Sequence, residues 1–220
     1  MAIKPILFNT EMVRAILDGR KSCTRRIVKP QQFIGMLPDK CKNGAPEEFL
    51  KEKKLMFKPY CDMTDIELIN TAYKASYQPG DILYVRETWS EGYEEGTYIY
   101  RASDKLADLP TFKESSKLIY HPSIHMPKEA TRIWLRVTDV RVERLQEITK
   151  DGAKAEGAID NRGFIHSPEN EYDCIHTAQE HFIKIWNSTI KKSDLDSYGW
   201  SANPWVWVIE FERCEKPEGV

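Results

Sequence analysis

The chain has 220 residues, with 32 lysines and arginines against 34 aspartates and glutamates, for a formal net charge of −2. That balance excludes a polycation of the histone or ribosomal-tail kind but leaves a local basic site open, because net charge says nothing about distribution. Apolar residues at 41% and charged residues at 30% point to a globular fold rather than disorder, and the length suits a single domain, 1–220, carrying insertions.

The first twenty residues do not read as a signal peptide, since Lys4, Asn9, Glu11 and Arg14 break their apolar stretches. No run approaches the roughly 18–20 apolar residues that span a bilayer. Five cysteines stand at 23, 41, 61, 174 and 214, an odd count with irregular spacing and no Cys-x-x-Cys. Such spacing suggests scattered thiols rather than a disulfide framework or a zinc knuckle, so a cytoplasmic protein without a membrane partner is expected.

Residues 3–8 read as a short first strand. Asn9 or Thr10 then caps a mostly buried helix over 11–18, and Gly19 stands where that helix should end. Residues 20–29 form the densest basic segment, with Arg20, Lys21, Arg25, Arg26 and Lys29. Residues 31–75 read as a polar insertion, partly helical near 47–56. Pro79-Gly80-Asp81 is a turn signal, and the apolar strand 82–85 delivers Arg86, Glu87 and Trp89 at its end. A second insertion, 91–118, holds a hairpin strand at 97–101. Residues 131–144 give the clearest strand, in which Ile133, Leu135 and Val137, then Val140 and Val142, alternate with polar positions. A short helix opens near Thr149 and closes at Gly157, and an amphipathic helix covers 176–190. The segment 204–213 is a strand apolar on both faces, with Pro204 at its start. These elements predict an α+β protein: a small barrel or curved sheet with flanking helices.

Three segments carry candidate chemistry. In the first, 19–26, a helix end is followed by Lys21, the hydroxyl of Thr24 and several arginines. Such a set suits a phosphate or a polarised carbonyl, and a lysine of lowered pKa would activate Thr24 as a nucleophile. A solvated basic turn is the plain alternative. In the second, Arg86, Glu87 and Trp89 offer a carboxylate for an exocyclic amine and an indole for stacking, or else a surface ion pair beside a core tryptophan. The third, Glu156 before Gly157, is a carboxylate near a helix terminus. His121 and His125 are separated by Pro122, and His176 and His181 share a helix face poorly, so no metal site is expected. The common nucleotide-binding and hydrolase fingerprints are absent, and no cofactor is expected.

The order of these segments resembles the ASCH domain family of the PUA-like superfamily, and most closely its larger phage and prophage members. The resemblance is carried by ILDGRKSCTRR at 16–26, PGDILYVRETW at 79–89, the run from Ser123 to Gly157 and WSANPWVWVIEFER at 200–213, about half of the chain. It implies a PUA-like small β-barrel with a cleft for RNA or a modified nucleoside, and the stretches at about 31–75 and 91–118 become insertions in that barrel. A smaller relative in the superfamily is an amidohydrolase that removes the acetyl group from N4-acetylcytidine. Its Lys–Thr–Glu set falls here on Lys21, Thr24 and Glu156, the glutamate by segment order and spacing rather than by motif. Another ASCH member is a metal-dependent ribonuclease, so the resemblance does not fix the reaction. Two functions remain open. In one, Thr24 attacks an acyl carbonyl while Lys21 activates it, Glu156 relays protons, and Arg25 or Arg26 stabilises the oxyanion. In the other, a non-catalytic RNA-binding module contacts phosphate through Arg20, Lys21, Arg25 and Arg26 and holds a base with Glu87 and Trp89, with Arg86 among the binding residues.

Overall fold

The structure, a computed structural model, describes residues 1–29, 64–104, 118–160 and 177–219. It is an α+β protein built on one five-stranded sheet. The strands are β1 (Ile3–Leu7), β2 (Cys23–Ile27), β3 (Ile82–Arg86), β6 (Trp134–Arg144) and β7 (Trp205–Cys214), in spatial order β1-β3-β6-β7-β2. β1 runs parallel to β3, and every other neighbour is antiparallel. A separate two-stranded ribbon pairs β4 (Trp89–Glu91) with β5 (Tyr98–Tyr100).

β7 explains how the molecule forms two apolar layers. Its residues are apolar on both faces, and successive side chains of a strand point to opposite sides. Trp205, Trp207, Ile209 and Phe211 join the main core with Ile6, Phe8, Val13, Leu83, Val85 and Leu135. Val206 and Val208 face a second core made with Leu145, Ile148, Ala153, Phe182 and Trp186.

The helices begin where the sequence marks them. α1 (Thr10–Leu17) is capped by Asn9, whose Oδ1 accepts the Met12 amide at 2.8 Å. Gly19 follows it with φ +73°, the left-handed geometry that glycine adopts without a steric penalty. α2 (Asp65–Ala72) starts in a capping box between Thr64 and Glu67. α3 (Lys150–Ala155) is capped by Thr149, and α4 (Ala178–Thr189) by a capping box of Thr177 and Glu180. A short α5 (Leu195–Tyr198) leads toward β7.

Three findings depart from the sequence reading. The basic segment is a strand rather than a solvated turn: β2 pairs with β7 from Cys23 opposite Glu210 to Ile27 opposite Val206. The helix α2 lies inside the stretch read as a polar insertion, while the helix expected near 47–56 lies outside the described residues. Finally, the sheet is open. No ladder joins β1 to β2 among the described residues, so the strands do not close into a barrel. Instead, a side chain spans the gap, with Arg26 Nη2 donating to the Leu7 carbonyl at 3.3 Å.

Within β6 the register slips between Val137 and Asp139, where one extra residue forms a bulge. A bulge bends its strand and increases local twist. β6 therefore pairs with β3 at its start and follows β7 along its whole length.

Candidate functional site

β2 supplies most of the polar groups of the site. Two bonds fix its pairing with β7, from the Val28 amide to Trp205 O at 3.0 Å and from the Phe211 amide to Ser22 O at 2.8 Å. In an antiparallel ladder, hydrogen-bonded pairs alternate. The even-numbered residues of β2 are thus bonded to β7, and the backbone groups of Cys23, Arg25 and Ile27 face the open edge. Two of the carbonyls there are engaged by neighbouring side chains: Cys23 O accepts from Lys21 and Arg25 O from Arg26.

A cavity of about 390 Å³ lies along this edge. Ile6 and Leu7 of β1, Asn9, and Met12 of α1 form one wall. Thr24, Arg25, Arg26 and Ile27 of β2 form another. Tyr77, Glu156 and the α4 residues Phe182, Ile185 and Trp186 complete most of the lining. The walls are thus mainly apolar or aromatic, with a few polar groups converging, as small-molecule sites commonly are.

Behind the cavity lies a buried ion cluster. The Lys21 side chain is 0% exposed. Its ammonium donates to Glu156 Oε2 at 2.7 Å, Glu156 O at 2.9 Å and Cys23 O at 2.7 Å, which uses all three of its protons. Glu156 is positioned by the end of α3, where it is the C-cap residue, and by an isolated antiparallel bridge with Lys21. Its second oxygen, Oε1, accepts from Arg25 Nη1 at 3.3 Å. Arg25 Nη2 reaches Glu143 at 3.1 Å, and Arg141 Nε donates to the other oxygen of Glu143 at 2.6 Å. Two buried cations are thereby matched by two carboxylates. The Nε–H of Arg25 is buried and meets no acceptor among the described residues, an unusual state for a buried donor.

The hydroxyl of Thr24 is buried, and its Oγ1 accepts from Arg26 Nη1 at 2.8 Å. Lys21 makes no bond to it. Lys21 and Glu156 therefore form one unit, and Thr24 shares the cavity wall with Glu156 rather than a hydrogen bond with the lysine. Cys23 lies beside the cluster. Burial, with the Glu156 carboxylate adding to it, pushes the Cys23 thiol from 9.0 up to about 12. It is a neutral thiol at physiological pH and an unsuitable nucleophile.

The remaining candidates are placed elsewhere. Arg20 is at the surface, paired with Asp18 at 2.9 Å and bonded to Gly157 O at 3.0 Å. Arg86 donates to the carbonyls of Met126 and Ile124, which anchors the turn of Ser123–His125. Glu87 is buried, with both of its oxygens held by Arg132 at 2.8 and 2.9 Å. Trp89 packs with Met126 and Ala130, and its ring lies 5.2 Å from His121. None of Arg86, Glu87 and Trp89 lines the Thr24 cavity. Among the described residues, no group of three or more His, Cys, Asp or Glu is arranged to hold a metal ion.

Sequence reasoning missed Glu143, Tyr77 and Arg132. Nothing in their local sequence marks them, because the partners of Glu143 and Arg132 lie far away along the chain and Tyr77 meets the other site residues only across the cavity.

 The separations are 118 residues for Glu143 with Arg25, 131 for Arg25 with Glu156, and 45 for Arg132 with Glu87.

The fold and site together define an α+β protein with a polar-tipped cavity at the open edge of its sheet. Comparison of the chain with protein-family models, with curated proteins and with solved structures gives no match in any of the three. Among the described residues, no helix is long and apolar enough to cross a membrane.

Proposed function

We propose that this chain is a PUA-like protein of the ASCH type, and that the cavity between β1, β2 and α4 receives the base of a modified nucleoside. One observation carries the reading: Thr24, Arg25, Arg26 and Glu156, drawn from segments 130 residues apart, line one cavity whose other walls include Tyr77, Phe182 and Trp186. Aromatic and apolar walls suit the faces of a base, and hydroxyl, guanidinium and outward-facing backbone groups suit its polar edge. Calorimetric titration with N4-acetylcytidine tests it. Saturable binding that weakens about tenfold or more in Arg26→Ala is expected, on the scale of one lost charged hydrogen bond. No binding to N4-acetylcytidine or to cytidine would remove the reading.

A second reading, amide hydrolysis, is favoured by the Thr24 hydroxyl sharing a wall with the Glu156 carboxylate. Thr24 Oγ would attack the acetyl carbonyl carbon and give up its proton to Glu156. Glu156 would pass that proton to the departing exocyclic amine as the C–N bond of the amide breaks, and water would then release acetate from the threonine ester. Lys21 would hold Glu156 in place rather than deprotonate Thr24, since its three protons are engaged. Release of cytidine from N4-acetylcytidine, absent in Thr24→Ala, is the expected result. Equal rates in the two proteins would sink the mechanism.

A further inference from the structure

A second cavity, of about 610 Å³, adjoins the first and shares Arg26, Ile27 and Tyr77 with it. Lys29, Tyr73, Lys74, Ser76, Trp207 and Ile209 complete its lining. A third hollow continues from there, sharing Tyr73, Lys74 and Trp207. Among the described residues, the charged groups that line these two hollows are Arg26, Lys29 and Lys74, with no carboxylate beside them. In a chain with 34 acidic and 32 basic residues, a wall of one sign is a local feature rather than an echo of composition.

Their partners strengthen the point. Arg26 donates to a hydroxyl and to two backbone carbonyls, not to a carboxylate. Lys29 rests over the Tyr198 ring at 5.2 Å. Neither lysine forms an ion pair among the described residues. By contrast, Lys4, Arg14, Arg20, Lys21, Arg25, Arg132, Arg136, Arg141 and Lys150 each face a carboxylate. A wall of cations that form no ion pair among the described residues, beside half-buried tyrosines, attracts a phosphate and leaves ring faces for whatever is attached to it.

We propose that the second cavity is a phosphate subsite, in which Lys29 and Lys74, with Arg26 at the shared boundary, bind a phosphate carried by the nucleoside in the first cavity. The ligand is then a nucleotide rather than a free nucleoside. This rests on the nucleoside reading above. Phosphate monoester and phosphodiester present the same oxygens to these cations, so a free nucleotide and a residue within an RNA strand are separated by experiment.

The test is a set of titrations of the full chain with four probes: N4-acetylcytidine, its 5′-monophosphate, its 3′-monophosphate and an RNA trinucleotide with N4-acetylcytidine in the centre. At low salt, at least one phosphorylated probe is expected to bind about tenfold or more tighter than the nucleoside, as one or two charged hydrogen bonds would give. In Lys29→Ala/Lys74→Ala that ratio should fall toward one, and in Lys74→Glu it should fall further. The advantage should also shrink with added salt. A trinucleotide that exceeds both monophosphates assigns the phosphate to a strand, whereas a monophosphate that equals it assigns a free nucleotide. Equal affinity for all four probes would overturn the subsite and leave the nucleoside site standing. Failure of every probe to bind would remove both.

Discussion

Glu156 joins the chemistry of the site to its stability. Its carboxylate is the acceptor shared by Lys21 and Arg25, both buried. Burying charge is costly unless it is paired, and removing one partner of a buried pair commonly costs about 3–5 kcal/mol. Glu156→Ala should therefore lower the unfolding free energy by about that amount, read from the urea midpoint. Glu156→Gln keeps an acceptor for Lys21, so it should cost less than the alanine variant. A Glu156→Ala protein as stable as wild type would show that Lys21 and Arg25 find other partners or reach solvent. Glu87 is similarly buried but plays a different part. Arg132 occupies both of its oxygens and stacks over Tyr100 at 4.0 Å.

At the scale of elements, the turn after α3 decides whether Glu156 can reach Lys21. Gly157 has φ +93°, a conformation that L side chains rarely adopt. A Cβ built there would also come within 2.8 Å of the Ala15 Cβ on α1. Gly157→Ala therefore meets both backbone strain and a steric clash between this turn and α1. It should destabilise the protein by about 1–3 kcal/mol, the usual cost of one residue held in a sparsely populated backbone region. Because the turn carries Glu156, ligand affinity should fall with it. Thermal unfolding together with titration of the same variant checks both effects, and an unchanged melting temperature would contradict this account of the turn. The same logic explains Gly19, whose positive φ ends α1 and lets Arg20 and Lys21 reverse toward β2. Both of their amides bond back to Ala15 O, at 2.8 and 3.0 Å.

For the whole molecule, the open sheet makes its edges important. β1 is held by one ladder, to β3, and by Asp81 beside it. The Asp81 carboxylate accepts from Lys4 Nζ at 2.6 Å, the Ala2 amide at 2.9 Å and the Gln78 amide at 3.1 Å. Burial by itself would raise its pKa. The bonds from Lys4 and the two amides outweigh that and hold the carboxyl below its ordinary value. A depressed folded pKa adds stability that is present above the ordinary carboxylate value, about 3.9, and is lost as pH falls through the lower folded value. The stability gap between wild type and Asp81→Asn should thus be widest near neutrality and close on acidification below about pH 4. Melting temperatures of both proteins from neutral to acidic pH check it, and a gap independent of pH would refute it.

Much of the architecture was legible in the chain itself. Period-two alternation marks the long strand, the capping residues mark the helix starts at Asn9 and Thr149, and Gly19 marks a helix end, because these signals are local. The shift from Ile133, Leu135 and Val137 to Val140 and Val142 even carries the β6 bulge, since a change of parity moves the apolar face. Thr24, Arg25, Arg26 and Glu156 were all singled out by residue type and segment order. What needed the tertiary structure was their company. The segment 23–27 is polar enough to read as a turn and becomes a strand only because β7 is apolar on both faces and pairs with it. Arg86, Glu87 and Trp89 stand together in the sequence, but that their partners are Met126, Arg132 and His121 is visible only in the fold. Local sequence determines strand, helix and turn through short-range sterics and hydrogen bonds. Which charged groups face one another, and which face a cavity, depends on contacts between residues far apart in the chain, and no local pattern records them.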